Sequence, residues 1–331
     1  MIRWGIIGLG NMARNFANSI KEINNAKING IVSLNKTKLE IFKKDFNISS
    51  NNSFNDYDDL IKSNNIDAVY IATLNNTHLD LIKKCSEYKK NILCEKPIAL
   101  SFDETKLAAN HIFKNKIMCF EGIAYRSHPQ IKIIKQLINQ GEIGELTEIK
   151  STFGFKVKKM NAMSRIFNKE LGGGSLLDLG CYPLSLLELF NNQNNKFEFM
   201  NVDGGFTKTG VDDFAYASIR LNNSIKCEIK VSFRENLDNK IFIKGDKGEM
   251  IIHNSWLPDK KSHIDILTKE SSYKKFINSD ISVYANQIQK VSECFKKQTL
   301  DDEFLIDIEK SLKIMNNLSH WKNLIKGKNN G

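Results

Sequence analysis

Residues 2–20, IRWGIIGLGNMARNFANSI, pass from a short apolar strand (Ile2 to Ile7) through Gly8-Leu9-Gly10-Asn11-Met12-Ala13 into an amphipathic helical pattern carrying Phe16 and Ile20. Few short segments restrict a fold so tightly. Between strand and helix, Gly8 permits a tight turn, Gly10 lets the backbone approach a pyrophosphate, and Ala13 lets the helix pack on its strand. The helix N-terminus then offers free N–H groups and a positive dipole end to phosphates. The expected dinucleotide contacts here are Gly8, Gly10, Asn11 and Met12; a plain Gly-rich connector is the alternative.

The strand–helix alternation continues. AKINGIVSL reads as a strand, KTKLEIFKKDF as a helix, IDAVYIATL as a strand and THLDLIKKCSEY as a helix; KNILCE, SFDETKLAANHIF and KIMCFEG follow as strand, helix and strand. Such alternation implies an α/β doubly wound parallel sheet, with ligands beyond the carboxyl ends of its strands. The end of the second strand carries Ser33, Leu34, Asn35 and Lys36 where an NAD-selective site places a carboxylate for the ribose 2'-hydroxyl. Hydroxyl, amide and ammonium groups can hold a 2'-phosphate, so Ser33, Asn35 and Lys36 point to NADP, with NAD possible. At the next strand exit, Thr73, Asn75 and His78 are further cofactor-side candidates, Thr77 being the expected helix N-cap.

Composition narrows the class. At 331 residues and 41% apolar the chain calls for two domains. No stretch reaches the roughly 18 to 20 uninterrupted apolar residues of a membrane span, and the N-terminus lacks a basic leader and a small-residue cleavage site, so cytoplasm is expected. The six cysteines are far apart, without zinc-ligand spacing, and read as reduced thiols; no metal is expected. The formal charge of +10 is nearly all dispersed lysine, with arginine confined to Arg3, Arg14, Arg126, Arg165, Arg220 and Arg234, which fits a compositional bias better than a nucleic-acid footprint.

Two further segments bear on chemistry. In NILCEKPIAL, Glu95-Lys96-Pro97 ends a strand on the same sheet edge as Gly8 to Gly10; proline fixes its own φ and holds Lys96 extended, so the ammonium is either aimed at a ligand or paired with Glu95. In ELGGGSLLDLGCYPLSLLELF, Gly172 to Gly174 let the backbone pass close to another group, and Asp178 and Tyr182 fall four apart on one helical face. Pro183 should kink or restart that helix. A satisfied buried hydrogen bond is the structural alternative for the Asp–Tyr pair.

Taken together, GIIGLGNMA, CEKP, EGIAYRSHPQ and LGGGSLLDLGCYP resemble the Gfo/Idh/MocA oxidoreductases, in the branch of dihydrodiol dehydrogenases, NADP-dependent xylose dehydrogenases and nucleotide-sugar ketoreductases. The resemblance implies a Rossmann domain (1–122) followed by a substrate and oligomerisation domain (123–331) with a large, open, mainly antiparallel sheet that commonly mediates dimers or tetramers. Segments LTEIKSTFGFKV, FEFMNVDGGFT, DDFAYASIRL, SIKCEIKVSF, NKIFIKG and EMIIHN fit its strands. VYANQIQKVSECFKK and DDEFLIDIEKSLKIMNNLSHWKNLI read as helices, the last (about 302–325) a candidate to pack back on the first domain, with KGKNNG a frayed tail.

The resemblance also implies roles: Lys96 beside nicotinamide and substrate oxygen, Tyr182 exchanging the proton that accompanies hydride transfer, Asp178 orienting Lys96 or a substrate hydroxyl, Glu95 on the cofactor side, and Arg126, Arg165 and Tyr182 toward a sugar, nucleotide sugar or cyclic polyol. Leu34 stands where NADP users often have arginine, and Leu74 where relatives often have proline. A non-catalytic dinucleotide sensor and an NAD-dependent glycosidase are the rival functions.

Overall fold

A computed structural model describes residues 1–191 and 197–329. In chain order the elements are β1 (Ile2–Ile7), α1 (Asn11–Ser19), β2 (Ala26–Val32), α2 (Lys36–Phe46), β3 (Ser53–Phe54), α3 (Tyr57–Lys62), β4 (Ala68–Ile71), α4 (His78–Glu87), β5 (Asn91–Glu95), α5 (Phe102–Asn115), β6 (Cys119–Gly122) and α6 (Pro129–Asn139). There follow β7 (Leu146–Gly154), a π-helical turn (Leu176–Gly180), α7 (Cys181–Leu189), β8 (Glu198–Phe206), β9 (Asp212–Leu221), β10 (Ile225–Ser232), β11 (Ile241–Gly245), β12 (Gly248–Ile252), β13 (Lys261–Thr268), β14 (Ser272–Asn278), α8 (Val283–Lys297) and α9 (Ile308–Asn329).

The chain divides into two units, Met1–Ser127 with Ile281–Leu312, and His128–Asp280 with Lys313 onward. The first holds a parallel sheet in the order β3-β2-β1-β4-β5-β6. Its central strand β1 is fully buried from Trp4 to Ile7, as a strand covered on both faces must be. The order reverses between β2-β1 and β4, which makes the carboxyl ends of β1 and β4 the switch point where ligands lodge.

Sequence reading assigned 123–331 to the second domain, with the last helix (about 302–325) a candidate to pack back on the first; the segment that groups with the first unit is Ile281–Leu312, which adds α8. Packing gives the reason. Ile288, Val291 and Phe295 of α8 are buried in the cluster built by Trp4, Phe16, Tyr70 and Phe120, and Trp4 Nε1 donates to Ser292 Oγ at 3.1 Å. Each fully buried side chain of this size contributes about 1.5–3 kcal/mol.

The second unit is built on an eight-stranded sheet in the order β14-β13-β12-β11-β7-β10-β9-β8. Only the β7–β10 pairing is parallel. The expected strands recur as β7 to β12, but β13 and β14 escaped the sequence reading. On β13 only Ile264 and Ile266 are buried, and β14 is an edge strand whose one buried side chain is Ile277, the others including Lys274 and Lys275; lysines on an edge are a device against strand addition. Also unread was α6, although His128 as N-cap (Nδ1 accepting the Gln130 N–H at 3.3 Å) and Pro129 at the first helical position are recognisable start signals.

The last helix begins at Ile308, not near 302. Residues before it are committed elsewhere: the Ile306 carbonyl accepts the Glu121 N–H at 2.8 Å, Phe120 and Asp307 form an antiparallel bridge, and Asp307 Oδ1 caps the helix through the Lys310 N–H at 2.9 Å. The helix continues to Asn329, so most of the expected frayed tail is helical; residues 330 and 331 lie outside the described residues. No helix among the described residues is long and apolar enough to cross a membrane.

Candidate active site

The Gly8 turn leaves β1 with φ +88°, and a Cβ there would stand 2.7 Å from the Ala72 carbonyl oxygen and from Thr73 Cγ2. Only glycine lets the β1 exit lie this close to the β4 exit. Gly10 differs. It is the N-cap of α1 in ordinary extended geometry (φ −87°), no side chain caps the helix, and a Cβ would meet nothing within 4 Å. The first turn of α1, with Asn11 and Met12, therefore faces open space with its N–H groups uncapped by side chains. This is the cradle a dinucleotide pyrophosphate fits.

At the β2 exit the Ser33 hydroxyl accepts the Asn35 N–H at 3.2 Å, and Asn35 Oδ1 caps α2 through the Lys38 N–H at 2.9 Å. The Asn35 carbonyl is thus spent on the helix, while its amide NH2, the Ser33 hydroxyl and the exposed Lys36 ammonium are the donor groups of this corner. Leu34 beside them is 66% exposed.

At the β4 exit, Thr77 does not cap α4 with its side chain: its hydroxyl bonds back to the Leu74 carbonyl at 2.8 Å and meets Thr73 Oγ1 at 2.6 Å. Asn75 is buried. His78, expected toward the cofactor, is fully buried and its Nδ1 hydrogen-bonds the Pro97 carbonyl at 2.9 Å. It thereby braces the Lys96 loop. The Lys96–Pro97 peptide is cis. Glu95, another cofactor-side expectation, is buried and accepts the Tyr70 hydroxyl; burial first, and then the Glu95 charge, holds the Tyr70 phenol far above its ordinary pKa. Lys96 itself is half-buried at the carboxyl end of β5, on the edge that carries Gly8 to Gly10.

Sequence reasoning missed Glu121, at the carboxyl end of β6. It is 1% exposed; Oε2 accepts the Ser311 hydroxyl at 2.6 Å and Oε1 the Ile98 N–H at 3.0 Å. Burial is the largest cause lifting its pKa from 4.5 to about 7, against the pull of Ser311, Ile98 and Lys96. A glutamate inside the apolar run KIMCFEG was the available signal, since buried carboxylates are rare unless engaged.

A stability test follows with a definite sign. The native state holds the Glu121 proton more tightly than the unfolded chain, so the stability it contributes is complete below pH 4.5 and is lost as pH rises through about 7. The loss by pH 8 is about 3 kcal/mol. Glu121→Gln, with the Ser311 hydroxyl turned to accept, should therefore gain on the wild type in urea unfolding between pH 5 and pH 8; a pH-independent difference would contradict the burial argument.

In the second unit, Arg165 opens a 3-10 turn (Arg165–Phe167) and its Nη2 pairs with Asp178 Oδ1 at 2.9 Å. Gly174, at φ +116°, passes so near Asp212 that a Cβ would lie 2.6 Å from its Oδ1. The fully buried Asp212 accepts the Ser175 hydroxyl at 2.8 Å and the Leu176 N–H at 2.6 Å, which fixes the start of the π turn bearing Asp178. The chain then restarts as α7 with Tyr182 and Pro183 in its first turn, so Asp178 and Tyr182 are joined through a π turn and not by one unbroken α-helix. The Tyr182 ring meets Phe153 edge-on at 5.0 Å and Trp256 at 5.9 Å, and Trp256 is anchored by Nε1 donating to the Thr152 carbonyl at 2.7 Å.

Arg126, expected toward the substrate, is 1% exposed in the first unit, where its Nη2 donates to the Glu303 carbonyl at 2.7 Å. That bond holds the returning 302–306 segment. Among the described residues the metal-like cluster is His253, His263 and Asp265. Lys274 lies 3.2 Å from His263 Nε2 and 3.4 Å from Asp265 Oδ1, placing an ammonium where a cation would sit.

Residues 2–123 match the model of the GFO/IDH/MocA oxidoreductase family, NAD-binding Rossmann fold, and residues 131–251 match the GFO/IDH/MocA C-terminal domain. The chain is 26% identical over 306 residues to the trans-1,2-dihydrobenzene-1,2-diol dehydrogenase of Mus musculus, spanning 89% of each chain. In fold it resembles the aldose-aldose oxidoreductase of Caulobacter crescentus (TM-score 0.89, 18% identity, 99% and 98% of the two chains). It likewise resembles the 3-ketoreductase KijD10 of Actinomadura kijaniata, solved with NADP and TDP-benzene (TM-score 0.87, 18% identity, 97% of each chain). With both domain models matched in order and the Gly8 cradle at the switch point of its first sheet, the chain belongs to the GFO/IDH/MocA oxidoreductase family.

Proposed function

We propose that this protein is a cytoplasmic NADP-dependent oxidoreductase that moves hydride between the nicotinamide and a carbinol or carbonyl carbon of a sugar, nucleotide sugar or cyclic diol. The observation that carries the reading is the fixed Lys96 loop on the same sheet edge as an open phosphate cradle. The bound cofactor supplies or accepts the hydride. Lys96 holds the substrate oxygen and Tyr182 exchanges its proton. A free phenol titrates near pH ~10 and acts at neutral pH only with a cation favouring its anion. Phe153 and Trp256 fix the plane of the phenol, and Arg165, through Asp178, is the substrate-side cation.

Support for the substrate class comes from the diol dehydrogenase, the aldose-aldose oxidoreductase and the 3-ketoreductase solved with TDP-benzene to which the chain is similar. The six buried free thiols suit a reducing compartment. The open face of the eight-stranded sheet, where Phe276 is 70% exposed, is our candidate for self-association into a dimer or tetramer.

The direct test is a panel of sugars, sugar nucleotides and vicinal diols, each with NAD and NADP, followed by nicotinamide absorbance. Turnover with one of these classes is expected. Tight NADPH binding with no turnover across the panel would favour a sensor, and product formation with no net absorbance change an internally redox-neutral glycosidase. A second test addresses cofactor choice. Leu34→Arg adds a guanidinium at an exposed position beside Ser33 and Lys36, and should lower the KM for NADP about tenfold with little change for NAD; an equal effect on both cofactors would place the 2'-phosphate elsewhere.

A further inference from the structure

We infer that Glu121 is the positioning residue for Lys96, an assignment that rests on the oxidoreductase reading above. Ile98, whose N–H donates to Glu121 Oε1 at 3.0 Å, is the second residue after Lys96, while Oε2 takes the Ser311 hydroxyl at 2.6 Å. One carboxylate thus ties the lysine loop to the first turns of α9, 190 residues away in the chain. The Glu121 backbone is equally committed: its N–H donates to the Ile306 carbonyl at 2.8 Å, and its carbonyl accepts Gln287 Nε2 at 3.2 Å. With the His78 ring on the Pro97 carbonyl, the loop is tethered at the two residues that follow Lys96.

Such a clamp has a physical purpose. Placing an ammonium against a reacting oxygen demands sub-ångström precision, and a displacement of about 1 Å costs about 10²-fold in rate. The loop offers an N–H and α9 an O–H, two donors that converge on one point. A carboxylate meets both as acceptor; burying it there is costly unless its oxygens are used, and both are. The ionisable groups around it are Lys96 and Glu95 from the β5 end, the Cys94 and Cys119 thiols on the strands, and Asp307 on the returning segment near Cys119.

The experiment compares Glu121→Asp, which keeps the charge but falls short of Ile98, with Glu121→Gln, which keeps the length and removes the charge. In the ligand-free protein, hydrogen exchange of the segment containing the Ile98 amide should quicken at least tenfold in Glu121→Asp. Its kcat should fall about 10- to 100-fold with NADPH affinity within about threefold of wild type, and Glu121→Gln should restore both readouts to within about fivefold. If Glu121→Asp does not fold, Ser311→Ala, which frees the same carboxylate, should shift both readouts several-fold in the same direction. Wild-type exchange and kcat in Glu121→Asp, alongside an inactive Lys96→Met, would overturn the clamp alone. So would an active Glu121→Asp with an inactive Glu121→Gln, which would make charge decisive. Should Lys96→Met keep its turnover, the oxidoreductase roles fail while the exchange result still judges the clamp.

Discussion

Lys96→Met should lower kcat by about 10³-fold while NADPH binds within about threefold of wild type, as measured by steady-state turnover and fluorescence titration. The expectation depends on where the loop's rigidity resides. His78 holds the Pro97 carbonyl and Glu121 the Ile98 N–H, both through backbone atoms beyond the lysine. Replacing the ammonium by an unbranched side chain of similar length therefore removes the charge and leaves both backbone tethers of the loop in place. Tyr182→Phe keeps the ring contacts to Phe153 and Trp256; its kcat should fall about 10²- to 10³-fold. If both groups act on one substrate oxygen, the double variant is much less impaired than the product of the single effects, since residues acting as a unit are not additive. Wild-type rates in both single variants would reject the proposed mechanism.

How much of this could be read from residue order depends on how local each determinant is. The β1–turn–α1 unit, the limits of α2 at Lys36 and Phe46, and the end of β5 at Glu95 just before Lys96-Pro97 follow from neighbours in the chain, and the structure has each of them. Glu121 was not legible, because its meaning comes from Ser311 and Ile306, which reach it only after the C-terminal segment returns to the first unit. His78 stood at a cofactor-facing position by sequence and was drawn inward by the Pro97 carbonyl. Arg126 was similarly claimed by the Glu303 carbonyl. Asp178 and Arg165 were both named, yet their pairing was not, since it depends on the turn through Gly172 to Gly174 bringing 3-10 and π segments together. For Glu121, His78 and Arg126 the partner lies far off in the chain, where neighbouring residues give no sign of it, and buried polar groups require such partners.

The two glycines of the opening turn provide a second large effect, because their demands differ. Gly8→Val places a Cβ 2.7 Å from a backbone carbonyl at φ +88°, so it should destabilise the first unit by several kcal/mol, about 3 or more, and abolish NADPH binding with the fold. Gly10→Val meets no protein atom within 4 Å of its Cβ and has a φ that any residue adopts, so Tm should change little. What it fills is the space in front of the uncapped α1 terminus. If a pyrophosphate occupies that space, NADPH affinity should fall about 10²-fold in a protein that is otherwise as stable as wild type. Thermal unfolding and NADPH titration of the two variants separate a glycine the chain needs for itself from a glycine it keeps for a ligand. Wild-type NADPH affinity in Gly10→Val would remove the pyrophosphate from the α1 terminus, and the hydride geometry built on Lys96 with it.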